Sequence, residues 1–275
     1  MNDELQYLSL LLDPVKFARQ FIEPDPWQRD LLLSNESRIM LNCCRQSGKT
    51  TITAILALHH ALHNPAAVVL ILSRTSRQSG ELFRKIIEFY KEMGRPIPPV
   101  QETAFTLTLA NKSRIISLPG EERTVRGYGG VSLLIIDEAA QVKDELYHAV
   151  RPMLATTSGR LILLSTPWGR SGFFYKMWHE GLENWKRIEI PADQCPRISS
   201  EFLTNELAAQ GEFWFNQEYK CKFQANSATY FTLQEIENAF DPNVKPLFDP
   251  ETGELNVPIP DHPVKTGMIG MDWEL

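Results

Sequence analysis

Four short, almost unbroken apolar runs punctuate the chain: RIMLNC at 38–43, AVVLILS at 67–73, VSLLIID at 131–137 and RLILLST at 160–166. Runs this brief, with no polar alternate positions, predict strands buried on both faces of a parallel sheet. Between them the apolar spacing becomes helical, in TTITAILALHHALH (50–63), SRQSGELFRKIIEFYKEM (76–93) and KDELYHAVRPML (143–154). Asn64-Pro65 stops the first of these helices, and Gly94 with the proline-rich turn PIPP stops the second. Asp25 and Pro26 fit the N-cap and first position of another helix carrying WQRDLLL. Two short amphipathic helices are expected in LQYLSLLL and PVKFARQFI. TLTL (106–109) and RIISL (114–118) are expected to form a hairpin laid beside the sheet. Strand and helix alternate as in an open α/β sheet, where ligands bind at the strand C-termini.

Composition narrows this picture modestly. A chain of 275 residues with 43% hydrophobic content can bury a full core. The four cysteines, at 43, 44, 195 and 221, lack metal-ligand spacing and are expected as reduced thiols. No run approaches the ~18 apolar residues of a membrane span, so a soluble cytoplasmic protein is expected. The net charge of −6 argues against nucleic-acid binding until its distribution is considered. Residues 38–126 hold 13 Lys and Arg against 6 Asp and Glu, whereas residues 226–275 hold 2 against 9. A local basic surface could meet DNA phosphates, and unevenly solvated charge accounts for the same numbers.

The candidate chemistry lies where the first strand ends. RIMLNC leads into CRQSGKT, and VSLLIID ends on Asp137 and Glu138. Inward-facing loop amides followed by a helix N-terminus complement a triphosphate, with Cys43, Cys44, Arg45, Gln46, Ser47, Gly48, Lys49 and Thr50 as the loop. Lys49 adds a point charge at the β- and γ-phosphates. The Thr50 hydroxyl and the Asp137 carboxylate are expected to hold Mg²⁺, and Glu138 to orient the attacking water. Cys43 stands where the G-x-x-x-x-G-K-[ST] pattern has its first glycine, so it is expected to tolerate a glycine-like backbone.

Five ordered motifs, CCRQSGKT, SLPGEERTVRGYGG, LLIIDEAAQV, LILLSTPWGRSGFFY and FWFNQEYKCKF, resemble the large terminase subunit of tailed bacteriophages, an ATP-driven motor that packs double-stranded DNA into procapsids. The resemblance implies an α/β P-loop NTPase of RecA/ASCE-like fold, mainly parallel, with a small helical lid. It implies a core at 1–185, a lid at 186–225, a linker at 226–265 and the start of an RNase H-like nuclease domain at 266–275. ATP and Mg²⁺ are the implied cofactors. Lys49 and Thr50 would bind phosphates and metal, Asp137 the metal, and Glu138 would be the catalytic carboxylate. Arg126 would be an arginine finger reaching a neighbouring subunit's nucleotide, with Arg45 competing for that role within its own subunit. Ser165 and Thr166 match the coupling motif, and Gln28 matches a glutamine that reads the adenine edge.

Asp272 in TGMIGMDWEL would begin an incomplete nuclease metal site, so no cutting activity is expected of these 275 residues. Implied partners are double-stranded DNA, the portal protein, the small terminase subunit and further copies in a ring, a pentamer by family resemblance. The isolated chain is expected to be a monomer in dilute solution, working in host cytoplasm and docking transiently on the procapsid. Gln28, GKT, DEAA and STP also read as motifs of a DEAD-like helicase, which would need a second RecA-like domain, and an inactive prophage remnant or assembly module is the non-enzymatic alternative.

Overall fold

The structure is a computed structural model that describes residues 8–119, 127–180 and 184–225. An eight-stranded sheet runs through it in the order β3-β4-β5-β2-β6-β7-β1-β8. Its strands are β1 (Arg38–Cys43), β2 (Val68–Ser73), β3 (Pro99–Glu102), β4 (Thr106–Leu109), β5 (Arg114–Pro119), β6 (Val131–Asp137), β7 (Arg160–Ser165) and β8 (Lys186–Ile190). The six strands from β5 to β8 pair in parallel, and β4 and β3 extend one edge antiparallel. The mainly parallel α/β sheet expected from the apolar runs is therefore present.

Strand periodicity accounts for its burial on two sides. Val69, Ile71, Leu133 and Ile135 enter one apolar layer, while Leu70, Leu72, Leu134 and Ile136 enter the other. Helices α1 (Pro14–Ala18), α3 (Lys49–His63) and α4 (Ser76–Glu92) contribute Phe17, Ile55 and Leu82 to the first layer. Helices α5 (Asp144–Val150) and α6 (Gly172–Glu180) contribute Tyr147 and Phe173 to the second, their rings stacked 4.3 Å apart. Helix α2 (Pro26–Leu33) starts after Asp25, as its cap residues predict. No described helix is long and apolar enough to cross a membrane.

Three details differ from the sequence reading. The hairpin does not lie beside the sheet: β5 pairs with β2 along its whole length and belongs to it. Part of the proline-rich turn forms β3, because an edge strand can begin on Pro99, whose missing N–H costs it nothing there. Residues 186–190, placed with the lid, form β8 against β1. Their KRIEI pattern is that of a half-buried edge strand and gives no sign of a helical subdomain.

The helix α7 (Ser200–Glu218) breaks at Gly211, whose φ of 75° and ψ of 168° are not helical, so SSEFLTNELAAQ and EFWFNQEYK are two helical pieces. Phe215 and Tyr219 are buried, whereas Trp214 is 41% exposed, so the aromatic run is core at only some of its positions.

Candidate functional site

β7 lies between β1 and β6, with Asn42 opposite Ser165 and Asp137 opposite Leu164. That register brings the C-terminal ends of three strands to one edge, with the loop after β1 and the acids after β6 on either side of Ser165. A cavity of about 370 Å³ opens there, and Arg45 to Thr51, Glu138 and Thr166 line it together with Gln78, Lys85, Gln141, Trp168 and Glu218.

Gly48 caps α3 with φ 88°, a left-handed conformation that glycine adopts without steric cost. Space is tight as well, since a Cβ there would lie 3.0 Å from Gln28 Nε2 and 3.2 Å from Arg197 Nη2. The amides of Gln46, Ser47 and Gly48 donate to no backbone acceptor among the described residues, leaving them for an anion at the positive end of α3.

The two cysteines at the start of the loop do not belong to this cradle. Cys43 is the last residue of β1 and pairs with Ile190, so it needs no glycine-like conformation; the left-handed residues of the loop are Gln46 and Gly48. Burial pushes its thiol up to about 12. Cys44 spends its amide on Ile190 O at 2.9 Å and sets its Sγ 3.7 Å from Cys195 Sγ. Both side chains are fully buried, which removes them from contact with a ligand in the cavity.

Lys49 Nζ lies 3.4 Å from Glu138 Oε1. Burial works to lower the lysine's pKa, but Glu138 and then Asp137 outweigh it and hold the value above the ordinary one, so the ammonium stays charged. Asp137 is 5% exposed, and its Oδ1 accepts the Glu138 N–H at 3.0 Å. Burial first, and then the neighbouring Glu138, push its carboxyl up to about 7 against the pull of Lys49. Glu138 itself has φ 51° and ψ 43°, a left-handed backbone that costs a non-glycine residue about 1–2 kcal/mol. Glu138 lines the cavity, where Ser165 Oγ stands 3.4 Å from its Oε2. Ser165 also accepts the Ala140 N–H and donates to Thr166 O at 2.7 Å, which ties the end of β7 to the turn carrying Glu138.

Hard oxygen donors suit Mg²⁺, and the residues present fit such an ion: the Thr50 hydroxyl lines the cavity, and the buried Asp137 carboxylate has only Lys49 as compensating charge.

The remaining expected residues have further contacts. Gln28 is buried at 1% exposure, with its Oε1 committed to the Asp25 N–H at 2.9 Å. It caps its own helix there, with its Nε2 on the side of Gly48. Arg45 forms an ion pair with Glu218, and its amide donates to Glu218 O at 2.9 Å, so the loop is joined to the end of α7. Arg126 and Asp272 lie outside the described residues, as do the linker and nuclease segments.

Several residues escaped the motif reading. Arg197 grips Asp25 with bonds of 3.0 and 2.7 Å and donates to Ser47 O at 2.9 Å. Glu218 is partly flagged by the FWFNQEYKCKF motif that contains it, whereas Gln78, Lys85 and Arg197 carry no local signal.

Comparison with known proteins agrees with this geometry. Residues 40–238 match the family model described as terminase large subunit, T4likevirus-type, N-terminal. The probable terminase large subunit of Enterobacteria phage P7 is 24% identical over 210 residues, covering 67% of this chain and 42% of that protein. The large terminase ATPase domain of Thermus phage P74-26 superposes with a TM-score of 0.66 at 20% identity, covering 76% of this chain and 97% of that domain. The large terminase of a thermophilic bacteriophage, solved in complex with ADP, superposes with a TM-score of 0.56 at 11% identity, covering 77% of this chain and 52% of that one. The fold is thus that of the terminase ATPase domains, RecA/ASCE-like as the resemblance implied. The chain spans less than half the length of the curated relatives it matches. With its family model covering most of the chain, this protein belongs to the terminase large subunit family, as its N-terminal part.

Proposed function

We propose that the cavity after β1 binds ATP with Mg²⁺ and hydrolyses it, and that this hydrolysis drives double-stranded DNA into a viral procapsid. The observation that carries the reading is the meeting of Lys49 and Glu138, 3.4 Å apart in a cavity lined by unpaired loop amides. The thermophilic-phage relative holds ADP in its structure, which supports a nucleotide as the ligand.

The triphosphate lies along the amides of Gln46 to Thr50. Lys49 turns from Glu138 to the β- and γ-phosphates, which leaves the Glu138 carboxylate free to orient a water and accept its proton. Ser165 stands beside that carboxylate, 3.4 Å from Oε2. Thr50 and Asp137 hold Mg²⁺, which neutralises phosphate charge. Arg126 acts as the finger for a neighbouring subunit's nucleotide, and Arg45 stays in its own subunit, exchanging Glu218 for phosphate and so passing nucleotide state to α7. Ser165 and Thr166 carry the same signal along β7.

The core runs through β8 to about residue 190 and the lid from there to 225, a boundary supported by the pairing of β8 with β1. Portal protein, small terminase subunit and a ring of five copies on the procapsid, within host cytoplasm, complete the proposal.

Phosphate release tests it. Wild type is expected to hydrolyse ATP, Glu138→Ala to lose that activity, and the specific rate to rise steeply with protein concentration if Arg126 acts across subunits. No Glu138-dependent hydrolysis at any concentration would instead support an inactive assembly module.

A further inference from the structure

Lys85 projects from the middle of α4 into the nucleotide cavity, where its Nζ donates to Thr51 Oγ1 at 2.9 Å. Its surroundings are unusual for a lysine. Thr51 belongs to the first turn of α3, which carries the helix's partial positive charge, so a cation there is repelled by the dipole. No carboxylate pairs with Lys85 among the described residues; the Thr51 hydroxyl is its one polar partner there. Two other basic residues of α4 are compensated, Arg84 by Glu81 and Lys91 by Glu102. An uncompensated ammonium beside a helix N-terminus weakens the empty fold, and an anion entering the cavity offsets that cost.

We propose that Lys85 is a third cation of the phosphate site, acting with Lys49 and Arg45, and that it contributes to binding the polyphosphate chain rather than to the chemical step. The three reach the cavity from different places: Arg45 from the loop, Lys49 from the start of α3 and Lys85 from α4. Lys49 and Arg45 each face a carboxylate already, Glu138 and Glu218, whereas Lys85 faces none. Lys85 therefore supplies charge to an incoming nucleotide without first leaving an ion pair. Because ADP shares the α- and β-phosphates, the contribution extends to ADP. The inference rests on reading the cavity as a nucleotide site.

The test compares wild type, Lys85→Met, Lys85→Arg and Lys49→Ala, with Mg-ADP and a hydrolysis-resistant Mg-ATP analogue as probes. Lys85→Met is expected to weaken both nucleotides about tenfold, the loss of one charge-assisted contact. Lys85→Arg should restore most of this, and kcat should stay within about twofold of wild type. The nucleotide-free Tm of Lys85→Met should equal or exceed wild type, because the unfavourable cation is gone. Unchanged affinities in Lys85→Met, alongside wild-type binding that Lys49→Ala abolishes, would overturn the role of Lys85 alone. A lowered nucleotide-free Tm in Lys85→Met would also overturn it, marking the lysine as a structural support for Thr51. Wild type that binds neither probe would overturn the nucleotide site itself.

Discussion

Lys49 Nζ and Glu138 Oε1 stand 3.4 Å apart, so the lysine expected to hold phosphate and the acid expected to activate water are paired with each other in this structure. Glu138 helps hold the Lys49 ammonium charged in a partly buried site, and a triphosphate competes directly with Glu138 for that ammonium. Removing either partner therefore has separable consequences.

Glu138→Gln keeps the shape and the contact to Ser165 but removes the base. Hydrolysis is expected to fall by about 10²- to 10⁴-fold while Mg-nucleotide affinity holds or tightens, because Lys49 no longer has a carboxylate to leave. Steady-state phosphate release with a fluorescent-nucleotide titration reads both quantities. An equal loss of binding would contradict the assignment of Glu138 to the chemical step.

Glu218→Gln releases Arg45 from its ion pair at the end of α7. Nucleotide affinity should rise several-fold and depend more steeply on salt, whereas Arg45→Ala should lower it. The double variant should resemble Arg45→Ala if the two residues act through one another, and calorimetric titration of all three checks this.

Gly48→Ala forces a Cβ into a left-handed position and toward Gln28 and Arg197. A stability loss of about 1–2 kcal/mol is expected from backbone strain alone, with nucleotide binding lost as the loop moves. Urea unfolding with and without Mg-ADP would show both the lower midpoint and the missing ligand-induced shift.

Acid sensitivity should arise from the histidines of α3. Burial lowers the pKa of His60 to about 4 and of His63 to about 3, and His59 shifts in the same direction for the same cause. Below the ordinary value near 6.5, the unfolded chain takes up protons that the fold refuses. Their stabilisation is thus complete above about 6.5 and is lost as pH falls toward about 4 for His60 and about 3 for His63. Asp137, raised to about 7, works in the opposite sense: its contribution is present at acid pH and is lost as pH rises through about 7. Comparing urea midpoints at pH 7.5 and 5.5 in wild type and His63→Leu isolates the histidine part, and the variant should lose less stability on acidification.

The strands, the phosphate loop and the acidic pair were legible in the letters because each is local. A six-residue apolar run, a Gly-Lys-Thr turn or an Asp-Glu at a strand end states its own conformation. What adjoins the loop was not legible. Arg197, Glu218 and Lys85 reach it from distant segments, and nothing in their neighbours' identities announces that convergence. Cys43 misled for a related reason, since a missing glycine implies strain only if the loop begins there, and pairing with Ile190 keeps that position in the strand. KRIEI failed as a lid segment because an edge strand half in water has no signature until β1 presents a free edge to it. Sequence alone determined the buried strands, the turn at Gly48 and the acidic end of β6, through backbone conformation and side-chain chemistry. Only the tertiary structure decided which charges oppose one another across the cavity, because Coulomb interactions depend on distances that sheet order and helix packing set.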